Sequence, residues 1–330
     1  MTTRRNFLKN TTMLAAGLGV SPLLSSSPLR SYQKEEVING KVRIAVIGVG
    51  MGCRDLQGAL TDNPWVHCVG MCDVNKVRLE EQLARFKKDF PEQTVSIKAY
   101  TDFREVLANK EIDGVIIATP DHWHPYIFAE ALKAGKAIYV EKPVGNSISE
   151  CNAMMDFQKK YKGVVTTGLW QTSQRYFRAA NEILKSGVLG DVYKVQLWLC
   201  QSTNPRPSVE DSEAPSTLDY DMWLGPAPER PFNNSRFRGW RGFWDYGGGQ
   251  QTDWGVHWID SAFDGLKALG LCDREYPDAV FSIAYKDPAS FNETPSCQTS
   301  IFQYKNFHIE WAQQVAYLYN RNQGVAWVGS

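Results

Sequence analysis

Lys41-Val42-Arg43-Ile44-Ala45-Val46-Ile47-Gly48-Val49-Gly50-Met51-Gly52-Cys53-Arg54-Asp55-Leu56 is the stretch whose reading decides the fold. A run rich in β-branched residues enters a glycine-rich turn, and the residues that follow read as a helix. Strand, glycine turn and helix in that order form the phosphate-binding corner of a dinucleotide domain. Gly48 permits the tight turn, and Gly50 lets the backbone approach a pyrophosphate at the helix N-terminus. Gly52 stands beside the third fingerprint position, which is Cys53 instead of glycine or alanine. Cysteine is small enough to keep helix and strand packed together.

The pattern extends downstream. Val66 to Cys72 is a second apolar run that ends at Asp73, about 20 residues beyond Gly50, where a ribose-binding acid belongs. A carboxylate there accepts hydrogen bonds from the adenosine ribose hydroxyls and repels a 2′-phosphate, so NAD is expected and NADP is disfavoured. The structural alternative for Asp73 is a plain N-cap of a helix over Asn75 to Lys87. Strands at Gly114 to Thr119, Ala137 to Glu141 and Val164 to Gly168 alternate with helical patterns at His122 to Ala134 and Ser149 to Lys160. That rhythm predicts a doubly wound parallel sheet. Ligands of such sheets bind beyond the carboxyl ends of the strands, and two polar clusters fall there: Thr119-Pro120-Asp121-His122-Trp123-His124-Pro125 and Glu141-Lys142-Pro143.

The bulk numbers agree with a two-domain enzyme. The 330 residues are 43% hydrophobic and 22% charged, enough for two cores. Lys plus Arg and Asp plus Glu each total 36, so no net field steers the chain toward nucleic acid or an anionic membrane. The seven cysteines show no metal-ligand spacing and read as buried thiols, and no metal site is expected. Residues 1–32 differ from the rest. Arg4-Arg5 with Phe7-Leu8-Lys9, an apolar stretch from Met13 to Leu24 and a serine-rich tail have the order of an export signal of twin-arginine type. The stretch is too short for stable membrane insertion. These features predict a periplasmic or exported protein carried by the twin-arginine export machinery, a route that takes folded, cofactor-loaded proteins.

Ala118-Thr119-Pro120 with His124, then Val140-Glu141-Lys142-Pro143, then Gly247-Gly248-Gly249 with Asp253 and His257, resemble in order and spacing the glucose-fructose oxidoreductase, inositol dehydrogenase and rhizopine catabolism family, Gfo/Idh/MocA. The resemblance implies an NAD-binding Rossmann domain over 41–165. A substrate and oligomerisation α/β domain would follow over 166–330, built on a large open, mainly antiparallel sheet that often packs on another subunit, and so a homo-oligomer. It implies that Lys142 lies near nicotinamide and substrate, that His257 serves as proton acceptor with Asp253 as its partner, and that Glu141 and Pro143 shape their turn. Thr119, Pro120 and His124 are expected to line the cofactor pocket. Relatives of this type continue with more strands, so Val325 to Ser330, which reads as a strand entering a turn, is expected to mark a shortened C-terminal domain.

The chemistry is consistent with those residues. Oxidising a secondary alcohol needs a base for the hydroxyl proton, a cationic group near the developing alkoxide and a hydride acceptor. Lys142 and His257 can divide the first two roles. If Gln251 to Leu266 is helical, Asp253 and His257, four apart, face one side and grip one substrate. The bland readings are a solvated Lys142 and a satisfied core His257 amid Trp254, Val256 and Trp258. Gln201 to Phe243 reads as a long loop of the kind that carries recognition. Trp254 and neighbouring tryptophans, Trp240 among them, suit the C–H faces of sugars, and Arg175, Tyr176, Arg238 and Arg241 are further substrate contacts. A sugar, glycoside or polyol is therefore the expected substrate. Two rivals stand beside the dehydrogenase. One is an NAD-dependent glycosidase working through transient oxidation, against which the intact Glu141-Lys142-Pro143 argues. The other is a dinucleotide-binding protein without turnover.

Overall fold

The computed structural model describes residues 41–50, 63, 65–91, 97–200, 206–272, 276–314 and 322–330. The expected signal at 1–32, Gly52 and Cys53 lie outside the described residues. The chain divides into two compact units, one running to Thr167 and including Glu213–Phe232, the other made of Gly168–Ser212 and Asn233–Ser330.

In the first unit β1 (Val42–Ile47), β2 (Val66–Cys72), β3 (Lys98–Tyr100), β4 (Gly114–Ile117), β5 (Ala137–Val140) and β6 (Val165–Thr167) form one parallel sheet in the order β3-β2-β1-β4-β5-β6. The order reverses between β1 and β4, the point at which doubly wound sheets open a crevice for dinucleotides. Period-two alternation explains how both faces are buried. Ala45 and Ile47 face one layer with Val115 and Ile117, against Phe103, Ile127, Phe128 and Leu132. Val46 and Ile116 face the other, against Leu79 and Phe86. The first layer is built by α2 (Phe103–Ala108), α3 (His124–Lys133) and α4 (Ile148–Tyr161), the second by α1 (Lys76–Asp89). Helix starts follow local capping chemistry. Asn75 accepts from Arg78 N (3.1 Å), and Ser147 and Glu150 make a reciprocal capping box at α4. β3 and α2 escape periodicity because three and six residues are too few to display a repeat.

Part of the long polar stretch belongs to this unit. Leu218 bridges Asn75, Thr217 O accepts from Lys76 N (2.9 Å), and Asp219 N donates to Val74 O (3.0 Å). The indole of Trp123 donates to Trp223 O (3.0 Å) and lies so close over Gly225 that a Cβ there would meet it at 2.0 Å. What composition marks as loop is therefore a strap on the dinucleotide domain, with a short helix at Tyr220–Leu224.

The second unit carries β7 (Val192–Cys200), β8 (Ala279–Tyr285), β9 (Cys297–Gln303), β10 (His308–Gln314) and β11 (Gln323–Gly329) in the order β11-β7-β10-β9-β8. Every neighbouring pair is antiparallel except β7 with β10. One face packs Val195, Leu197, Leu199, Ile309 and Trp311 against α5 (Arg175–Lys185) and α6 (Val256–Ala268) through Phe177, Trp258, Ala262 and Leu266. By register Phe281, Ile283 and Tyr285 point to the opposite face, where they are exposed. The final apolar stretch is a strand, as expected: β11, at the sheet edge and paired with β7. Of the described cysteines Cys68, Cys72 and Cys200 are buried as expected, whereas Cys151, Cys272 and Cys297 are half-buried. Burial pushes the Cys68 thiol up to about 12, which keeps it unreactive.

Candidate active site

The carboxyl ends of the parallel strands are tied into one platform. Gly48 N donates to Cys72 O (2.8 Å), Ala118 N to Ile47 O (2.8 Å) and Glu141 N to Ile117 O (2.9 Å). Gly48 has φ +89°, and a Cβ on it would lie 2.6 Å from the Ala118 carbonyl carbon and oxygen, so glycine is required twice over. Among the described residues only Arg78 Nη1, at 3.7 Å, lies within 4 Å of a Cβ built on Gly50. Gly50 stands where the backbone of such a corner approaches a pyrophosphate, and Arg78 sets a cation beside it.

Asp73 is buried at the end of β2 and turns both ways. Its Oδ2 accepts from Val49 N in the glycine turn (3.0 Å), and its Oδ1 accepts from Asn75 N (2.8 Å). Burial raises its carboxyl above the ordinary range, opposed by the Asn75 bond, the Arg78 charge and the Val49 bond. Asn75, not Asp73, caps α1, so the plain-cap alternative for Asp73 fails. Each carboxylate oxygen keeps a second lone pair for a ribose hydroxyl. Arg78 is a residue that sequence reasoning missed, and helical spacing from Asn75 to the side of α1 near Gly50 is the signal that could have found it.

The other two turns flank β4 and β5. Thr119 and Pro120 are half-buried after β4, and Thr119 Oγ1 is buried with no hydrogen-bond partner among the described residues, as a ligand-binding hydroxyl would be. Glu141 accepts from the Tyr139 hydroxyl (3.1 Å) and, through its other oxygen, from Lys142 N (3.2 Å). Burial and then the Glu141 carboxylate hold the Tyr139 phenol well above its usual value. Lys142 is half-buried and its bond to Pro143 is cis. His124 does not line a pocket wall as expected. It is 1% exposed, with Nδ1 2.7 Å from Pro143 O and Nε2 2.8 Å from Thr119 O, so it joins the two turns from within. The Gly48 corner, an acid at the glycine turn and a buried Thr119 hydroxyl without a partner among the described residues together fit a dinucleotide.

In the second unit the proposed substrate residues divide into two groups. Asp253 lies in a π-helical turn, Gln251–Gly255, that leads into α6, and such turns recur at functional sites. The wider turn disturbs the four-residue spacing expected to set Asp253 and His257 on one side. Asp253 forms an ion pair with Arg241 Nε (3.2 Å), whose guanidinium lies 4.1 Å from the Trp240 ring centre. His257 is buried, edge-on to Trp170 (5.6 Å) and Trp254 (6.2 Å). Trp170 therefore joins Trp240 and Arg241 among the candidates; it lies far upstream of His257, and only the fold reveals that contact. Arg175 and Tyr176 are exposed at the start of α5, where the Tyr176 hydroxyl donates to Gln171 (2.7 Å). Among the described residues no group of three His, Cys, Asp or Glu could hold a metal, and no helix is long and apolar enough to cross a membrane.

A six-stranded parallel sheet in Rossmann order with this glycine corner defines a dinucleotide-binding protein, here with a second domain on a mixed, mostly antiparallel sheet. Residues 42–169 match the oxidoreductase family with NAD-binding Rossmann fold, and 178–267 match its C-terminal alpha/beta domain; the chain belongs to the Gfo/Idh/MocA oxidoreductase family. It is 33% identical over 163 residues to an alpha-N-acetylgalactosaminidase of Tannerella forsythia, a match over 45% of this chain and 34% of that protein. It is 27% identical over 201 residues to a glycosyl hydrolase family 109 protein of Parabacteroides distasonis, covering 58% of this chain and 43% of the relative. It is 24% identical over 151 residues to inositol 2-dehydrogenase of Salmonella typhimurium, covering 45% and 43%. The matches span less than half the length of these curated relatives. The fold is shared with the WlbA dehydrogenase of Bordetella pertussis, solved with NADH and UDP-GlcNAcA (TM-score 0.65, 17% identity, 88% of this chain and 77% of that one). It is shared too with GenD2 from gentamicin A biosynthesis, solved with NAD (TM-score 0.66, 18% identity, 94% and 73%).

Proposed function

We propose that the chain is an NAD-dependent oxidoreductase acting on a secondary alcohol of a sugar, glycoside or polyol. The observation that carries this reading is Asp73, whose carboxylate is fixed to the glycine turn through Val49 N and retains lone pairs for a ribose diol. The same carboxylate repels a 2′-phosphate, which favours NAD over NADP. Gly48, Gly50, Asp73, Thr119, Pro120, Glu141 and Lys142 hold the cofactor. Bound NAD supplies the hydride acceptor. Lys142 places a cation at the carbinol oxygen as charge develops, and His257 accepts the hydroxyl proton. Trp254 covers a C–H face of the sugar, with Arg175 and Tyr176 as outer contacts. Asp253, held by Arg241, offers its remaining acceptor capacity to a sugar hydroxyl.

One observation favours a second reading, an NAD-dependent glycosidase: relatives named as an alpha-N-acetylgalactosaminidase and family 109 glycosyl hydrolases match at up to 33% identity. Offering sugars, polyols and glycosides to the NAD-loaded protein separates the two. Stoichiometric reduced nicotinamide with a ketone product supports the dehydrogenase, and released free sugar without net reduction supports the glycosidase. Neither product from any class would contradict both. Residues 1–32 support export by a twin-arginine route to the periplasm, which an arginine-pair replacement and fractionation would test. Exposed Phe281, Ile283 and Tyr285 on the open sheet support a homo-oligomer, tested by light scattering on wild type and Phe281→Lys.

A further inference from the structure

Both ring nitrogens of His124 face carbonyl oxygens, Nδ1 at 2.7 Å from Pro143 O and Nε2 at 2.8 Å from Thr119 O. A carbonyl oxygen only accepts, so each contact needs an N–H; neutral imidazole has one and imidazolium has two. The ring is 1% exposed, so a neutral form would hold a nitrogen lone pair against a carbonyl oxygen in a place water does not reach. We propose that His124 is held as the imidazolium in the folded protein and acts as a positioning residue for Lys142. Its two donors tie the turn after β4 to the turn after β5, at the residue next to Lys142, so that the two ligand-facing turns move as one.

The charged groups on the surrounding elements are compatible with a buried cation. On its own turn Asp121 is buried, and His122 places Nε2 3.0 Å from Trp223 O. After β5 stand Glu141, occupied by Tyr139 and Lys142 N, and the Lys142 ammonium itself. On α3 Lys133 is paired with Glu130 (2.6 Å). On α4 Glu150 is spent on the N–H groups of Asn146 and Ser147, and Asp156 lies 3.8 Å from Lys159. The Glu141 carboxylate, whose charge raises the Tyr139 phenol, thus stands with the Lys142 ammonium on the turn that His124 joins.

The charge state is independent of the oxidoreductase reading; only its consequence for the cofactor rests on that reading. The test uses the full chain labelled with 15N-histidine, whose five histidines are assigned by single glutamine replacements at His67, His122, His257 and His308 and by His124→Asn. The expected result is one ring with both nitrogens protonated at neutral and mildly alkaline pH, absent from His124→Asn. If every ring shows an unprotonated nitrogen at neutral pH, or the doubly protonated ring is another histidine, the proposal is overturned, and wild type alone decides this should His124→Asn not fold. NAD titration followed by tryptophan fluorescence tests the positioning role. His124→Asn keeps one donor toward Pro143 O and cannot titrate. Wild-type affinity is expected to weaken by about tenfold as the ring loses its proton, the effect of about one charged hydrogen bond, while the variant stays flat with pH. A wild-type affinity as flat as the variant's would refute positioning by the charged ring. Absence of NAD binding at any pH would instead refute the cofactor assignment and leave the nitrogen shifts to decide the charge.

Discussion

Replacing Gly48 with alanine tests the glycine corner with numbers taken from the structure. Gly48 has φ +89°, and an added Cβ would sit 2.6 Å from Ala118 C and O and 2.7 Å from Thr119 N. The dihedral costs about 1–2 kcal/mol for a residue with a Cβ. The clash adds about 1–3 kcal/mol, because all three atoms are backbone and none can swing aside. A total of about 2–5 kcal/mol lowers Tm by about 4–20 °C in a domain of this size. Gly135→Ala is the control: its φ is +70°, yet nothing among the described residues lies within 4 Å of the added methyl, so only the dihedral cost of about 1–2 kcal/mol applies. Thermal unfolding of wild type and both variants, with NAD titration of each, is the assay. The expected order of stability is wild type, Gly135→Ala, Gly48→Ala, with NAD binding lost only in the last. A Gly48→Ala protein that melts and binds NAD like wild type, or a Gly135→Ala protein damaged as severely, would refute the reasoning.

Asp73→Ala removes an acceptor for ribose and for Val49 N, so NAD affinity should fall about 10- to 100-fold while NADP affinity falls less, a comparison for calorimetric titration. Lys142→Met should lower kcat by about 100-fold or more at saturating NAD, if the lysine acts on the developing alkoxide. Asp113 supplies a pH test. Burial alone would raise its carboxyl, but the bidentate bonds from Arg43 (2.8 and 2.9 Å) and the Arg43 charge bring it below its ordinary value of 3.8. A depressed folded value stabilises the protein above pH 3.8 and is lost as pH falls through the folded value. Asp113→Asn should therefore flatten the acid limb of a stability profile measured by denaturant midpoints. Ser147→Ala should cost about 1 kcal/mol through loss of the α4 capping box, read from the same midpoints.

The dinucleotide domain was legible because its signals are local: β1 from Ile44 to Ile47 and β4 throughout are apolar runs, and Gly48 and Asp73 stand at strand ends where the fold needs them. Lys142 and Thr119 fall after β5 and β4 in the same way, and their roles came from the family resemblance. His124 was placed in the right neighbourhood but in the wrong role, because whether a side chain faces a ligand or the turns behind it depends on atoms nineteen residues away at Pro143. The strap at Glu213–Phe232 was hidden for a related reason, since its partners Val74, Asn75 and Trp123 are contacted through backbone groups that leave no periodic trace. Asp253 and His257 were named through the family resemblance and Arg241 as a substrate contact, but neither the π-turn that alters the four-residue spacing nor the pairing of Arg241 with Asp253 could be read from the sequence. A single inserted residue in a helical turn has no marker in composition.

The most direct test of the account is made on protein purified without added nucleotide, whose bound dinucleotide is released and identified by mass spectrometry. Nicotinamide absorbance is then followed as each sugar, glycoside and polyol is offered to the loaded protein. The account expects NAD(H) and a change of redox state with one carbohydrate class, abolished in Lys142→Met. No bound nucleotide and no binding on addition, or bound NAD that stays silent to every alcohol offered, would contradict it.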